Sequence, residues 1–186
     1  MFIQTQATPN PATLKFLPGA KVNSGVPRDF RDISEAKQSP LVSALFNIDG
    51  ITGVFLGSDF ISVTKDDADW SRVKPAVLGA IMDHFLSGLP VIEDDNSLDN
   101  LDDDEFFDKA DSETVEIIKE LLDSRVRPAV AMDGGDIIFK GFKDGIVFLK
   151  MQGACSGCPS SSATLKNGIE NLLRHFVPDV EEVQQI

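Results

Sequence analysis

Both cysteines of this chain fall in one stretch, Met151-Gln-Gly-Ala-Cys155-Ser-Gly-Cys158-Pro159-Ser-Ser-Ser-Ala-Thr-Leu-Lys166. Two residues separate them, an apolar run precedes them and a helical pattern follows. A Cys-x-x-Cys at a helix start serves a dithiol redox pair, half of a metal site, or a packed structural turn. A helix N-terminus carries unpaired N–H groups and partial positive charge, which favours thiolate over thiol. Gly153 and Gly157 flank Cys155 and let backbone N–H groups approach sulfur. Pro159 stands where a first-turn residue needs no donor. The spacing predicts a reactive site.

Ligand counting narrows the chemistry. A tetrahedral zinc site or an iron–sulfur cluster takes four protein ligands, and one chain offers two thiolates. His84 and His175 each lie near the end of a predicted helix and read as ordinary, partly exposed residues. A bound metal is therefore expected between two copies about a twofold axis, each giving Cys155 and Cys158. A shared site near the surface can be assembled and dismantled, which suits a carrier.

Composition sets outer bounds. The 186 residues are enough for two small domains, and 42% apolar residues are ample for their cores. No segment approaches the ~18 uninterrupted apolar residues that span a membrane. A net charge of −13 opposes nucleic acid. The start, Met1-Phe2-Ile3-Gln4, has no basic n-region and no Arg-rich leader. Cysteines this close make a poor structural staple, which points to a reducing compartment. The expectation is a cytoplasmic protein, or a processed organelle-matrix form.

The elements that would position the cysteines form two α+β domains joined by an acidic linker. The first spans 1–92. Residues 2–6 and Ala12–Leu17 alternate as strands around a turn at Pro9-Asn10-Pro11, and Ala20–Arg31 reads as a long loop. Ser39 and Pro40 are a helix start. Ile51–Leu56 and Phe60–Lys65 form a hairpin around Gly57-Ser58-Asp59. Asp69 caps a helix through Phe85, with Pro75 either kinking it or marking its true start. Trp70 on its apolar face reads as core. Residues 93–110 are dominated by Asp and Glu, and such a run reads as a solvated linker.

The second domain spans 111–186. Ser112 caps a helix that ends before Arg127-Pro128. Asp133-Gly134-Gly135-Asp136 reads as a turn, although the two carboxylates invite a hydrogen-bonding or metal-adjacent role, with Arg125 or Arg127 as partner. Ile137–Phe142 and Ile146–Met151 flank Asp144-Gly145, a hairpin signal. The helix after the cysteines turns Leu165, Ile169, Leu172, Leu173 and Phe176 inward, and Val180–Ile186 offers a last strand. No Ser/His/Asp arrangement, phosphate loop or HExxH is present, so the case for an enzyme is thin.

At these residues the sequence resembles the NifU-like iron–sulfur cluster proteins of the Nfu family, over nearly the whole chain. The C-terminal match is Arg127-Pro128, Asp133-Gly-Gly-Asp136, Gly153-Ala-Cys155-Ser-Gly-Cys158-Pro159 and Thr164-Leu-Lys166. The N-terminal match is Thr8-Pro-Asn-Pro11, Leu14-Lys-Phe-Leu-Pro-Gly19, Ser39-Pro40-Leu41 and Trp70 through Lys74-Pro75. The resemblance implies a homodimer or higher oligomer bridging a [4Fe–4S] cluster through Cys155 and Cys158 of each subunit. A [2Fe–2S] cluster is the lesser alternative. Partners would be apo iron–sulfur client proteins and upstream assembly factors, and neither nucleic acid nor membrane. Mitochondrial precursors of the family carry a leader, so a bacterial cytoplasmic protein is expected.

Two other readings use the same cysteines. A thioredoxin-type dithiol oxidoreductase would use one thiolate to attack and the other to resolve. Only 28 residues follow Cys158, too few for the strands and helix that fold adds. A dimer held by structural zinc would use the same four thiolates, yet each domain has periodic apolar segments that should fold without metal.

Overall fold

The computed structural model describes residues 1–93, 105–156 and 159–186, apart from the side chains of 159–161. Two compact α+β units divide the chain, Met1–Leu98 and Asp99–Ile186. Among the described residues no helix is long and apolar enough to cross a membrane.

The first unit runs β1 (Gln4–Ala7), β2 (Thr13–Leu17), β3 (Arg28–Phe30), α1 (Pro40–Phe46), β4 (Ile51–Leu56), β5 (Ile61–Lys65) and α2 (Trp70–Ser87). Its antiparallel sheet has the order β1-β2-β5-β4-β3. Alternate residues Phe16, Ile61, Val63, Val54 and Leu56 pack against Leu41, Leu45, Val73, Val77 and Ile81 of the helices. Ser39 accepts from the Val42 N–H at 3.2 Å, a cap worth about 1 kcal/mol. Asp69 likewise accepts from the Ser71 N–H at 2.9 Å. Pro75 lies inside α2, whose start is Trp70. Trp70 is half-buried against the core and donates its indole N–H to the Pro11 carbonyl at 3.1 Å.

Two expectations change here. Arg28–Phe30, within the predicted loop, is an edge strand on β4, a pairing that three polar-leaning residues do not announce. His84 is not partly exposed but 7% exposed, on the same face of α2 as Val73, Val77 and Ile81. Burial pushes its pKa below the usual value, and its Nε2 has no partner among the described residues.

The second unit runs β6 (Phe106–Phe107), α3 (Ser112–Leu121), a π-helical turn at Leu122–Val126, α4 (Arg127–Met132), β7 (Gly135–Lys143), β8 (Ile146–Gly153), α5 (Pro159–Phe176) and β9 (Glu182–Gln185). The sheet order is β6-β7-β8-β9. β7 and β8 are the expected antiparallel hairpin, and both turn residues, Asp144 (φ 51°) and Gly145 (φ 78°), are left-handed. The outer pairs are parallel, so helices carry the chain across from β6 to β7 and from β8 to β9. One face holds Ile137, Phe139, Phe142, Val147, Leu149 and Met151 against α3, α4 and α5. A bulge between Phe139 and Gly141 keeps Phe142 on that face.

Several boundaries move. Residues 94–104 of the expected linker lie outside the described residues, whereas Phe106–Phe107 pair with Gly141–Phe142. The two phenylalanines supply the apolar surface that the neighbouring acidic run lacks. Ser112 is the first residue of α3 rather than its cap, and its hydroxyl donates to the Lys109 carbonyl at 2.8 Å. The helix does not end before Arg127-Pro128. The wide π turn relieves the clash a proline makes with the preceding turn, and helix resumes to Met132. Ile169 and Leu173 face the core, with Leu165 and Leu172 packed partly against it, but Phe176 is 44% exposed beneath the Arg125 guanidinium, 4.9 Å from its centroid.

Candidate metal centre

β8 ends in Gly153, whose φ of 65° turns the chain into the cysteine loop. The Ser156 N–H donates to the Gly153 carbonyl at 3.2 Å, closing that turn. The Ala154 N–H donates to the Gly134 carbonyl at 3.1 Å, tying the loop to the end of α4. The Ser162 hydroxyl donates to the Cys155 carbonyl at 3.1 Å, tying it to the first turns of α5. Three elements therefore fix the backbone around Cys155.

Glycines make the space. Gly134, with φ 80°, is the turn the sequence predicts. Gly135 serves a different purpose, because it opens β7 opposite Gly153. A Cβ there would lie 2.7 Å from the Gln152 carbonyl oxygen and 2.8 Å from Cys155 Sγ. Cys155 occupies the volume that any larger residue at 135 would fill.

The electrostatics correct one expectation. Cys155 is 6% exposed and belongs to the apolar core. Burial pushes its thiol up to about 12, with the carboxylates of Asp133 and Asp136 adding to the effect. In the metal-free chain both effects favour the thiol form of Cys155. It lies a full turn ahead of Pro159, and the helix-end field fades within one turn. Metal binding at Cys155 must release its proton, which couples affinity to pH.

Asp136 is 5% exposed, and Arg127 neutralises it with a two-pronged contact, Nε to Oδ1 at 2.9 Å and Nη2 to Oδ2 at 2.8 Å. The third nitrogen, Nη1, reaches Asp123 at 3.0 Å. Asp136 first, then Asp123, pushes the guanidinium above its ordinary range. Of the arginine partners the sequence offers, the geometry selects Arg127 for Asp136 and gives Arg125 to Phe176.

The described structure brings Cys155, Gly135, Asp133 and Asp136 together. Cys158 lies outside the described residues, and so does its distance from Cys155. His175 is exposed at the end of α5, and His84 belongs to the other unit. Among the described residues no group of three or more His, Cys, Asp and Glu side chains could hold a metal. The donor set suits soft metal centres, since thiolates select iron–sulfur clusters, zinc or copper(I). Sequence reading missed Gly135 as the packing partner of Cys155. It also missed Gln152, opposite Asp136, whose buried Oε1 has no partner among the described residues.

Fold and site together define a two-unit α+β protein whose second unit seats a cysteine at the end of a hairpin, in a chain with one Cys-x-x-Cys. Residues 3–88 match the family described as scaffold protein Nfu/NifU N terminal, and residues 118–184 match the NifU-like domain. The chain belongs to the Nfu/NifU scaffold family. Proteins called NFU1 iron-sulfur cluster scaffold homolog, mitochondrial, from Drosophila sechellia and Drosophila ananassae are each 53% identical over all of this chain. The chain spans 65% and 64% of their lengths. Among solved structures, a NifU-like protein from Saccharomyces cerevisiae is 25% identical, with a TM-score of 0.42 over 51% of this chain and 87% of that one.

Proposed function

We propose that this chain carries an iron–sulfur cluster as cargo, held by Cys155 and Cys158 of two copies, and hands it to apo-proteins. The observation that carries the reading is the turn that fixes Cys155 from β8, α4 and α5, with the second thiol three residues on. Family membership and the relatives' naming as cluster scaffolds support it. Four thiolates from two copies match a [4Fe–4S] cluster, with [2Fe–2S] the lesser alternative. Upstream assembly factors would supply it.

The chain's own part is positional. Gly135 leaves the space for the sulfur, the Gly134 and Ser162 hydrogen bonds hold the loop, and Arg127 compensates the buried Asp136. Delivery is ligand exchange, in which thiols of an acceptor displace Cys155 and Cys158. A dithiol oxidoreductase would use one thiolate to attack and the other to resolve, and burial makes Cys155 poorly suited to the attacking role. Residues 1–92 act as an accessory unit for partner choice or stability, 93–110 connect, and 111–186 bind the cargo together with β6. The relatives' mitochondrial naming weighs toward an organelle matrix over the bacterial cytoplasm.

The test is anaerobic reconstitution with iron and sulfide, with chain mass recorded alongside. The expected result is a dimer with about two irons and two sulfides per chain. Cys155→Ser and Cys158→Ser should lose the iron yet keep the wild-type circular dichroism. No stable iron, with a reversible disulfide between Cys155 and Cys158, would make the pair a redox centre. Unfolded variants would make the site structural.

A further inference from the structure

The face of the second unit's sheet that points away from the core has an unusual composition. A solvated sheet face is ordinarily polar, with apolar residues confined to the other side. Cross-strand register places Phe106, Gly141, Phe148 and Gln184 in one row across this face, with Ile138 beside Lys150 in the next. Phe106 and Phe148 stack with centroids 5.0 Å apart, and Phe106 remains 42% exposed.

This platform is built. Gly141 is bare so that the Phe106 ring can lie over it, and a Cβ there would meet that ring at 2.6 Å. Glu105, next to Phe106, is anchored by Lys119 Nζ, which also lies 5.5 Å from the Phe139 centroid.

Charge gives the second observation. Lys143 and Lys150 belong to this same hairpin face and Lys140 sits at the bulge next to Gly141, and none of the three has an ion pair among the described residues. Elsewhere in the unit Lys119, Arg127, Lys166 and Arg174 are each paired and Arg125 lies over Phe176, which leaves Lys109, beside β6, as the other cation with no ion pair among the described residues. In a chain of net charge −13, three lysines with no ion pair among the described residues make a local basic rim around this aromatic centre, with Glu182 at the far edge beside Gln184.

We propose that this face docks a partner protein through an acidic, amphipathic segment. Its apolar side chains cover Phe106, Ile138 and Phe148, and its carboxylates pair with Lys140, Lys143 and Lys150. β8 leads from Lys150 through Gly153 to Cys155, at roughly 3.3 Å per residue along the strand. A partner seated there lies beside the cysteine loop. The docking stands apart from the cluster reading, and only its consequence for delivery rests on that reading.

The probe is a nine-residue peptide alternating glutamate and leucine, titrated into the isotope-labelled full chain and followed by amide shifts. Shifts should concentrate in 138–143 and 146–150. Added salt should weaken binding, and K140E with K150E should weaken it at least about tenfold, since each reversal turns an attraction into a repulsion. Lys150 is exposed and Lys140 half-buried, neither belongs to the core, and cluster content of the double variant should match wild type while delivery slows. Shifts elsewhere, no binding at millimolar peptide, or indifference to the charge reversals would overturn the proposal. So would tight binding of oligothymidylate at this face, or a change in chain mass with K140E/K150E, which would assign the face to nucleic acid or to a second copy. If wild type takes up no cluster but still binds the peptide here, the delivery reading fails and the docking surface stands.

Discussion

Gly135 and Cys155 share one volume, because a single methyl on Gly135 would come within 2.8 Å of the cysteine sulfur. The same methyl would come within 2.7 Å of the Gln152 carbonyl oxygen, which is backbone and yields little. Gly135→Ala should therefore displace the cysteine loop. Overpacking of this kind costs about 1–3 kcal/mol. Urea denaturation of the apo chain should show that loss, and reconstituted Gly135→Ala should hold less iron than wild type at equal folded fraction. Unchanged iron content would mean the loop relaxes freely.

Gly168 offers the opposite outcome from the same substitution. It is exposed within α5, and a Cβ there meets nothing within 4 Å. Gly168→Ala should raise stability by about 0.5–1 kcal/mol through helix propensity and a less entropic unfolded chain. Calorimetry of the apo chain checks it, and a lower midpoint would refute the helical geometry at this position.

Arg127 and Asp136 should prove coupled. Arg127→Met leaves a carboxylate that is 5% exposed without its partner, and should cost about 1–3 kcal/mol. The guanidinium is 36% exposed, which keeps the loss below that of a fully buried pair. Pairing Arg127→Met with Asp136→Leu removes both charges and should recover most of the loss. A denaturation double-mutant cycle reads the coupling, and additive losses would show that the contact contributes nothing of its own.

His84 sets a pH dependence in the first unit. Its folded pKa lies below the unfolded value of 6.5. The unfolded chain therefore binds more protons as pH falls below 6.5, so stability drops on acidification and is fully present above that value. Trp70 is the only tryptophan and lies in this unit, so its fluorescence follows that unfolding alone. The midpoint should fall between pH 7 and 5.5 in wild type and fall less in His84→Leu. Equal slopes in the two proteins would assign the dependence to other groups.

The sequence alone determined what depends on near neighbours. Ser39-Pro40 and Asp69 announce helix starts by local hydrogen bonding, and both caps form. Asp144-Gly145 announces its hairpin because both turn residues need left-handed backbone. The α+β class and the cysteine pair were legible for the same reason, as spacing along one stretch. Tertiary structure decided what depends on residues distant in the chain. Phe106 became a strand because Gly141 offers it an edge and a bare surface, and Arg28–Phe30 because β4 does. Cys155 became a buried thiol because the apolar core and the strand carrying Gly135 close around it, while the charges of Asp133 and Asp136 act on it through space. Desolvation and charge act through space, and a motif read along the chain carries neither.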